Sequence, residues 1–263
     1  MNPLWLIRNC ASSWRSRGGI ADFVRRLLWI YSGKLPAAVR RKEWTIGFRY
    51  SEPIGSVRLL LRSNGGTDGF IHGEVFEHEY YRLPLTSPPE TILDLGANIG
   101  LTSVYFSRVY PRALLACVEP VLGNVRALTR NLELNSIKAA VFPAAVDPQN
   151  GRVRMQLEAR DSEHKVADAN EEPRGETVEV DAISVPTLMA RLGWPRIGLL
   201  KIDIEGHEKI LLSRDCEWLN LVDAICIECH PGYDESDLRR LAERFGFLPP
   251  RNIGNWLLQR RPI

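Results

Sequence analysis

Long apolar stretches are missing from this sequence. No run approaches the ~20 apolar residues that a membrane-spanning helix needs, and residues 3–7 are too short for a signal-peptide core. Cysteine is also scarce. The five cysteines are odd in number and lack the spacing of a disulfide framework: Cys10, Cys117, Cys216, Cys226 and Cys229. We therefore expect no membrane span, free thiols and a cytoplasmic protein.

One cysteine pair has the spacing of a haem attachment site. Cys226 and Cys229 are followed directly by His230, as in c-type haem proteins. However, residues 221–228 have the composition of a buried strand, and residues three apart in a strand point to opposite faces. We therefore predict buried structural thiols and no haem.

Acidic residues are scarce at the N-terminal end, although the net charge is only +2. Residues 1–50 contain ten Lys and Arg but two Asp and Glu, whereas the remainder contains 24 against 30. A basic segment that also holds Trp5, Trp14, Trp29 and Trp44 is typical of a helical cap with a solvated face. Peripheral contact with a membrane, an acidic partner or an anionic substrate, and a homodimer contact, are the alternatives. The net acidic remainder favours no nucleic-acid partner.

The chain contains a strand, a glycine turn, a helix and a second strand in close succession. Residues 92–95 predict a buried strand, and Gly96 and Gly100 bracket a turn in which glycine permits close approach of a ligand. Residues 101–110 have helical spacing. Glu119 ends the next predicted strand, where an acid can accept two hydrogen bonds from ribose hydroxyls.

The turn lacks the second glycine that admits a pyrophosphate in the nicotinamide motif. S-adenosylmethionine has a ribose but no pyrophosphate, so this looser turn, which includes Ala97, is sufficient for it. Asp94, Asn98 and Thr102 are polar residues suited to the amino acid end of that cofactor. We predict an S-adenosylmethionine site; a nicotinamide site and a plain packing turn are the alternatives.

Four segments of the chain resemble the FkbM family of S-adenosylmethionine-dependent methyltransferases. They are residues 92–100, 118–120, 131–135 and 201–208. The resemblance spans roughly residues 70–230. It implies a Rossmann-like seven-stranded α/β methyltransferase sheet with helices on both faces, and O-methylation of a small molecule such as a sugar, polyketide or lipid-linked glycan. It places the cofactor contacts at Asp94, Gly96, Asn98, Gly100 and Glu119.

The pattern along the chain predicts an N-terminal extension and one α/β domain. Residues 1–83 form the extension, with a basic helical segment, a β-hairpin over residues 44–62 and a lead-in helix over residues 70–83. Residues 84–263 form the methyltransferase domain, with a mainly parallel sheet. Three further expectations are a strand over residues 139–146, a polar insert over residues 158–176 that covers the site, and a closing antiparallel pair from residues 247–248 and 256–258.

Ionisable residues follow two predicted strands: Asp203 and Glu205 after one, and Glu228 and His230 after the other. Ligands bind at the carboxyl ends of strands in open α/β sheets. If the strands are neighbours, as the resemblance implies, these four candidate catalytic residues converge beside the methyl donor.

A hydroxyl acceptor must lose its proton, and His230 has the best intrinsic pKa for a general base. Asp203 and Glu205 could orient the hydroxyl or the imidazole, and Asp203 could also touch the cofactor. A divalent cation held by Asp203, Glu205 and His230 is a less favoured alternative, so we assign no metal ligand. A structural role is the third alternative, with Glu208 serving a helix start.

We therefore predict an O-methyltransferase for a small molecule. The alternatives are a carboxyl methyltransferase on the same fold, which needs no general base, and a non-catalytic binding module. Lys201, in the strand before Asp203, is expected to form an ion pair across the sheet.

Overall fold

The computed structural model describes residue 16 and residues 18–34, 41–156, 165–166 and 177–261. The helices are α1 (Ile20–Ile30), α2 (Thr67–His72), α3 (Leu101–Val109), α4 (Leu122–Leu134), α5 (Val185–Leu192), α6 (Glu208–Ser213) and α7 (Glu235–Phe245). The strands are β1 (Glu43–Arg49), β2 (Ser56–Arg62), β3 (Thr91–Leu95), β4 (Leu114–Val118), β5 (Ala139–Phe142), β6 (Ala145–Val146), β7 (Gly151–Gln156), β8 (Lys165–Val166), β9 (Thr177–Ile183), β10 (Ile197–Ile202), β11 (Val222–Ile227), β12 (Arg251–Asn252) and β13 (Trp256–Gln259). None of the described helices is long and apolar enough to cross a membrane.

The main sheet has seven strands in the order β12-β13-β11-β10-β3-β4-β5. Strands β5, β4, β3, β10 and β11 run parallel, and β13 runs antiparallel to β11. Alternate residues of the central strands enter two separate cores, as the two-residue period of a strand requires. Leu93 and Leu95 pack with α5, α6 and α7 on one face, whereas Ile92 packs with α3 and α4 on the other. The predicted seven-stranded α/β sheet with helices on both faces is confirmed.

The predicted β-hairpin forms from β1 and β2 and packs on α4. The side chain of Asn131 accepts a hydrogen bond from the backbone N–H of Leu60 at 2.6 Å and donates to the Leu60 carbonyl at 3.2 Å. Asn135 makes the same pair of bonds with Arg58, at 3.1 and 2.7 Å. These amides satisfy the edge of β2, which would otherwise expose unpaired backbone groups. The hairpin thus shares a core with the main sheet, and the domain boundary at residue 84 stays a prediction.

Three local predictions are wrong in detail. The lead-in helix is shorter than predicted: its α-helical part ends at His72, and a π-helical turn follows over Gly73–Glu77. Gly69 and Gly73 give this segment poor helix propensity. The strand predicted over residues 139–146 divides into β5 of the main sheet and β6 of a second, four-stranded sheet. The divide falls at Pro143, which cannot donate a ladder hydrogen bond.

The closing antiparallel pair also differs from the prediction. Strand β13 forms its ladders with β11 and with Arg251–Asn252, and the predicted partner segment reaches it through one backbone hydrogen bond, from Leu248 to Gln259 at 2.9 Å. The predicted insert over residues 158–176 lies outside the described residues except for Lys165–Val166, which pair with β7. Residues 1–15, the start of the basic segment, also lie outside them.

Candidate active site

The turn after β3 is tight because its two glycines meet neighbouring parts of the chain. Gly96 has a φ of 75°, and a Cβ at this position would lie 1.7 Å from the carbonyl oxygen of Asp203. Gly100 has a φ of 80°, and its Cβ would lie 2.3 Å from Cδ1 of Leu128. Packing and backbone conformation both oppose a side chain at Gly96, whereas at Gly100 the end of the Leu128 side chain would have to move. Close approach of one chain segment to another thus adds to the reason for glycine at position 96, which also lines the cavities described below.

Glu119 lies directly after β4 and is buried. One carboxylate oxygen accepts a hydrogen bond from the backbone N–H of Asn98 at 2.9 Å. The other accepts from the backbone of Val121 at 2.9 Å and from the side chain of Asn124 at 3.1 Å. Burial raises the pKa of Glu119, and these bonds oppose the rise. Because a carboxylate has about four acceptor positions, roughly one is left for a ribose hydroxyl, fewer than the predicted two.

The first cavity lies at the carboxyl ends of β4 and β10 and has a volume of about 610 Å³. Its polar lining includes Asn98, Glu119 and His207, and its apolar lining includes Val146 and Met155. A cavity that combines an apolar wall with a few convergent polar groups is typical of a cofactor site.

His207 was not predicted as a site residue. Its Nε2 lies 2.9 Å from Oδ2 of Asp147, which follows β6. The contact joins segments 60 residues apart, so no local pattern in the sequence signals it.

The second cavity, of about 840 Å³, adjoins the first and is lined by α2, α3 and the carboxyl ends of β10 and β11. Four residues line both cavities: Gly96, Asn98, Asp203 and Glu205. The second cavity is also lined by the predicted site residues Ala97, Thr102, Glu228 and His230. All four predicted catalytic residues therefore come together, as expected.

They converge at the carboxyl ends of two neighbouring strands, as predicted, although the acids themselves lie beyond the strand. Strand β10 ends at Ile202, so Asp203 and Glu205 lie on a loop, where Glu205 has a φ of 54°. Strands β10 and β11 are parallel neighbours, and Ile202 pairs with Ile227. The shared sheet edge, not a common strand face, brings the acids to His230.

Lys201 forms the expected ion pair across the sheet. Its Nζ lies 3.1 Å from Oδ1 of Asp94 and 3.4 Å from Oδ2 of Asp203, and it donates a hydrogen bond to the Gly96 carbonyl at 2.7 Å. Burial lowers the pKa of Lys201, but the negative charges of Asp94 and Asp203 have the larger effect. Together they hold the pKa of Lys201 well above its ordinary value. Asp94 is fully buried and also accepts from Ser103 at 2.6 Å. Predicted as a cofactor contact, Asp94 lies beneath the turn and lines neither cavity.

His230 is held between two carboxylates. Its Nδ1 lies 2.9 Å from Oε1 of Glu208, and its Nε2 lies 3.3 Å from Oε2 of Glu205. Burial alone would lower the pKa of His230, but these two contacts raise it to about 11. At neutral pH the imidazole is therefore cationic. This position is unsuited to the general base predicted from the intrinsic pKa of histidine, because neither ring nitrogen is available to accept a proton.

Glu208 is the first residue of α6, but its side chain binds the loop before the helix and does not cap the helix start. Its Oε1 accepts hydrogen bonds from the backbone of Ile204 at 3.2 Å and of Gly206 at 3.3 Å, while its side chain is fully buried. Hydrogen bonding to His230 overcomes burial and lowers the pKa of Glu208. The buried Glu208 side chain thus holds the loop that carries Asp203 and Glu205 through its backbone N–H groups.

Glu228 faces the second cavity and has no side-chain hydrogen bond or ion pair within the described part of the chain. Glu228 is exposed at the mouth of this cavity, but partial desolvation of its carboxyl group raises its pKa to about 7, and the neighbouring charge of Asp203 adds to the rise. Of the four predicted catalytic residues, Glu228 is the one that offers an uncommitted carboxylate to a ligand.

Comparison with known proteins identifies the family of this chain. Residues 94–249, more than half of the chain, match the model of the Methyltransferase FkbM domain. The chain belongs to the FkbM methyltransferase family. This membership confirms the predicted methyltransferase that uses S-adenosylmethionine.

Two relatives are identical to this chain at 25–28% of the aligned positions. Methyltransferase 1 of Beauveria bassiana is 28% identical over 214 residues, which cover 71% of this chain and 84% of the relative. The 31-O-demethyl-FK506 methyltransferase FkbM of Streptomyces tacrolimicus is 25% identical over 64% of this chain and 79% of its own length. The fold was also compared with the crystal structure of methyltransferase FkbM from Methylobacillus flagellatus KT. The two align with a TM-score of 0.48 and 16% sequence identity, over 67% of this chain and 45% of that one.

Proposed function

We propose that this FkbM-family protein transfers the methyl group of S-adenosylmethionine to a hydroxyl oxygen of a small molecule. The observation that carries the proposal is the uncommitted Glu228 carboxylate in a cavity that adjoins the first cavity at Asn98 and Asp203. An alcohol is a poor nucleophile until a base removes its proton, and a carboxylate in this position can act as that base.

The residues present fit the cofactor. Within the described chain, Oδ1 of Asn98 is a buried acceptor without a hydrogen-bond partner, and it suits the ammonium group of the cofactor. Glu119 would receive a ribose hydroxyl, and Val146 and Met155 provide an apolar surface for the adenine. We therefore assign the adenosine to the first cavity and the reacting end to the residues that the two cavities share.

When bound, the cofactor supplies a methyl group on a sulfonium sulfur, whose C–S bonding pair stays on sulfur as the acceptor oxygen forms the new C–O bond and loses its proton. The protein has to align donor and acceptor and to receive that proton. Glu228 takes the proton in this proposal. His230 cannot, since Glu205 and Glu208 occupy both of its ring nitrogens.

The charge of the second cavity disfavours carboxyl methylation. Glu74, Asp203, Glu205 and Glu228 all line it. A carboxylate acceptor would meet these like charges at close range and be repelled by them. The relative from Streptomyces tacrolimicus is named for an O-demethyl substrate, which supports oxygen as the acceptor atom.

The experiment measures S-adenosylhomocysteine formed from S-adenosylmethionine with a panel of hydroxylated small molecules and a matched panel of carboxylic acids. We expect turnover with hydroxyl acceptors alone, and a Glu228→Gln variant that loses kcat while KM changes little. Glu133→Gln, an exposed change on α4, is the control. Turnover of the acids, or full activity of Glu228→Gln, would overturn the proposal.

A further inference from the structure

Asp203, Glu205 and His230 form a cluster with the composition of a metal site. Each offers one ligand atom, and these atoms all lie within 4.8 Å of one another. Ligands at ~2.1 Å from an ion lie about 3 Å apart when adjacent, so small side-chain movements would bring all three onto one ion. The 3.3 Å separation between Nε2 of His230 and Oε2 of Glu205 already matches that spacing.

A second observation points to a ligand on His230. Its Nδ1 contacts Glu208, whose side chain is fully buried and whose Oε1 is held by two backbone N–H groups. This arrangement fixes the ring and directs Nε2 towards Glu205 at the edge of the second cavity. Metal-ligating histidines are held in this way, with the second nitrogen donating to a carboxylate.

The charge balance of the cluster also favours a cation. Five acids surround it: Asp94, Asp203, Glu205, Glu208 and Glu228. Lys201 is the cation shared with Asp203, and it is engaged with the fully buried Asp94 at 3.1 Å. Counted together with the cationic His230, Lys201 gives two cationic side chains against five acids in and beside the cluster.

We propose that Asp203, Glu205 and His230 bind one divalent cation at the edge of the second cavity, and that the cation replaces the proton that Nε2 of His230 shares with Glu205 in the ion-free protein. Two carboxylates and one imidazole suit Mn²⁺ and, more weakly, Mg²⁺. Building on the proposed O-methylation, the cation would hold and polarise the acceptor hydroxyl beside the methyl donor. Glu208 is then a positioning residue for the imidazole.

The test is binding of Mn²⁺ to the EDTA-treated, dialysed full-length protein, followed by the loss of the EPR signal of free Mn²⁺. We expect one ion per chain, displaced by excess Mg²⁺. Glu205→Gln and His230→Gln should each weaken binding at least tenfold, and Glu208→Gln by about 10- to 100-fold, as changes behind a metal ligand do. Glu133→Gln should bind as the unaltered protein does.

Binding of S-adenosylhomocysteine to the same samples separates the two proposals and reports on folding. If the unaltered protein binds S-adenosylhomocysteine but no Mn²⁺ at millimolar concentration, the cation site is wrong and the methyl transfer stands. Mn²⁺ binding that Glu205→Gln and His230→Gln leave unchanged would also overturn the site. Mn²⁺ bound at these residues by a protein that does not bind S-adenosylhomocysteine would support the site and contradict the proposed function.

Discussion

Replacing Gly96 with alanine should damage both the stability of the protein and its cofactor site. The φ of 75° is a left-handed conformation that costs an alanine about 1–2 kcal/mol. The new Cβ would also lie 1.7 Å from the carbonyl oxygen of Asp203, a contact that the backbone must relieve by moving. Overpacking of this kind adds about 1–3 kcal/mol, so the free energy of unfolding should fall by about 2–5 kcal/mol in total.

Gly193 provides the matched control. Its φ is 67°, but nothing lies within 4 Å of the position that a Cβ would take. Gly193→Ala should therefore show only the conformational cost of about 1–2 kcal/mol. The difference in unfolding free energy between the two variants, measured with denaturant, gives the cost of the clash with the Asp203 loop. Titration with S-adenosylhomocysteine measures whether displacement of Asp203 weakens cofactor binding. Equal destabilisation by the two substitutions, with unchanged cofactor affinity in Gly96→Ala, would refute the packing argument.

Three further predictions concern stability. Lys201→Met leaves the charge of Asp94 buried without its partner and should cost about 3–5 kcal/mol in urea unfolding; a loss below 1 kcal/mol would contradict the pairing. Asn131→Ala removes bonds to both backbone groups of Leu60 and should cost about 1–3 kcal/mol, with faster hydrogen exchange at the Leu60 amide; unchanged exchange would argue against that clamp. Burial holds the pKa of His72 well below 6.5, so the unfolded chain binds its proton first, and unfolding free energy should fall as pH drops below 6.5. His72→Gln should remove that part of the pH dependence.

The elements around the cofactor turn could be predicted because their signals are local. An apolar run, two glycines and helical spacing lie within twenty residues, and the structure has β3, the turn and α3 in those places. The neighbouring positions of β10 and β11 came from the family resemblance, since periodicity alone does not say which strands are neighbours. Within the described residues, the hairpin was likewise visible as two alternating segments joined by turn residues.

The chemistry of the site was less accessible because it depends on contacts between distant segments. His230 has a histidine's ordinary pKa in the sequence, but Glu208, 22 residues away, and Glu205 make it cationic. Asp94 was predicted to touch the cofactor, yet its partner is Lys201 on the neighbouring strand. The contact of His207 with Asp147 has the same origin. Each case is a pairing set by the tertiary fold and invisible to spacing along the chain.

The most direct test of the cofactor site is isothermal titration of the full-length protein with S-adenosylhomocysteine. The structure predicts micromolar binding that Glu119→Ala weakens at least tenfold, because three hydrogen bonds that shape the first cavity are lost with the carboxylate. Glu133→Ala, on the exposed face of α4, should bind as the unaltered protein does. No binding by the folded, unaltered protein, or binding that Glu119→Ala leaves intact, would contradict the assignment of this site.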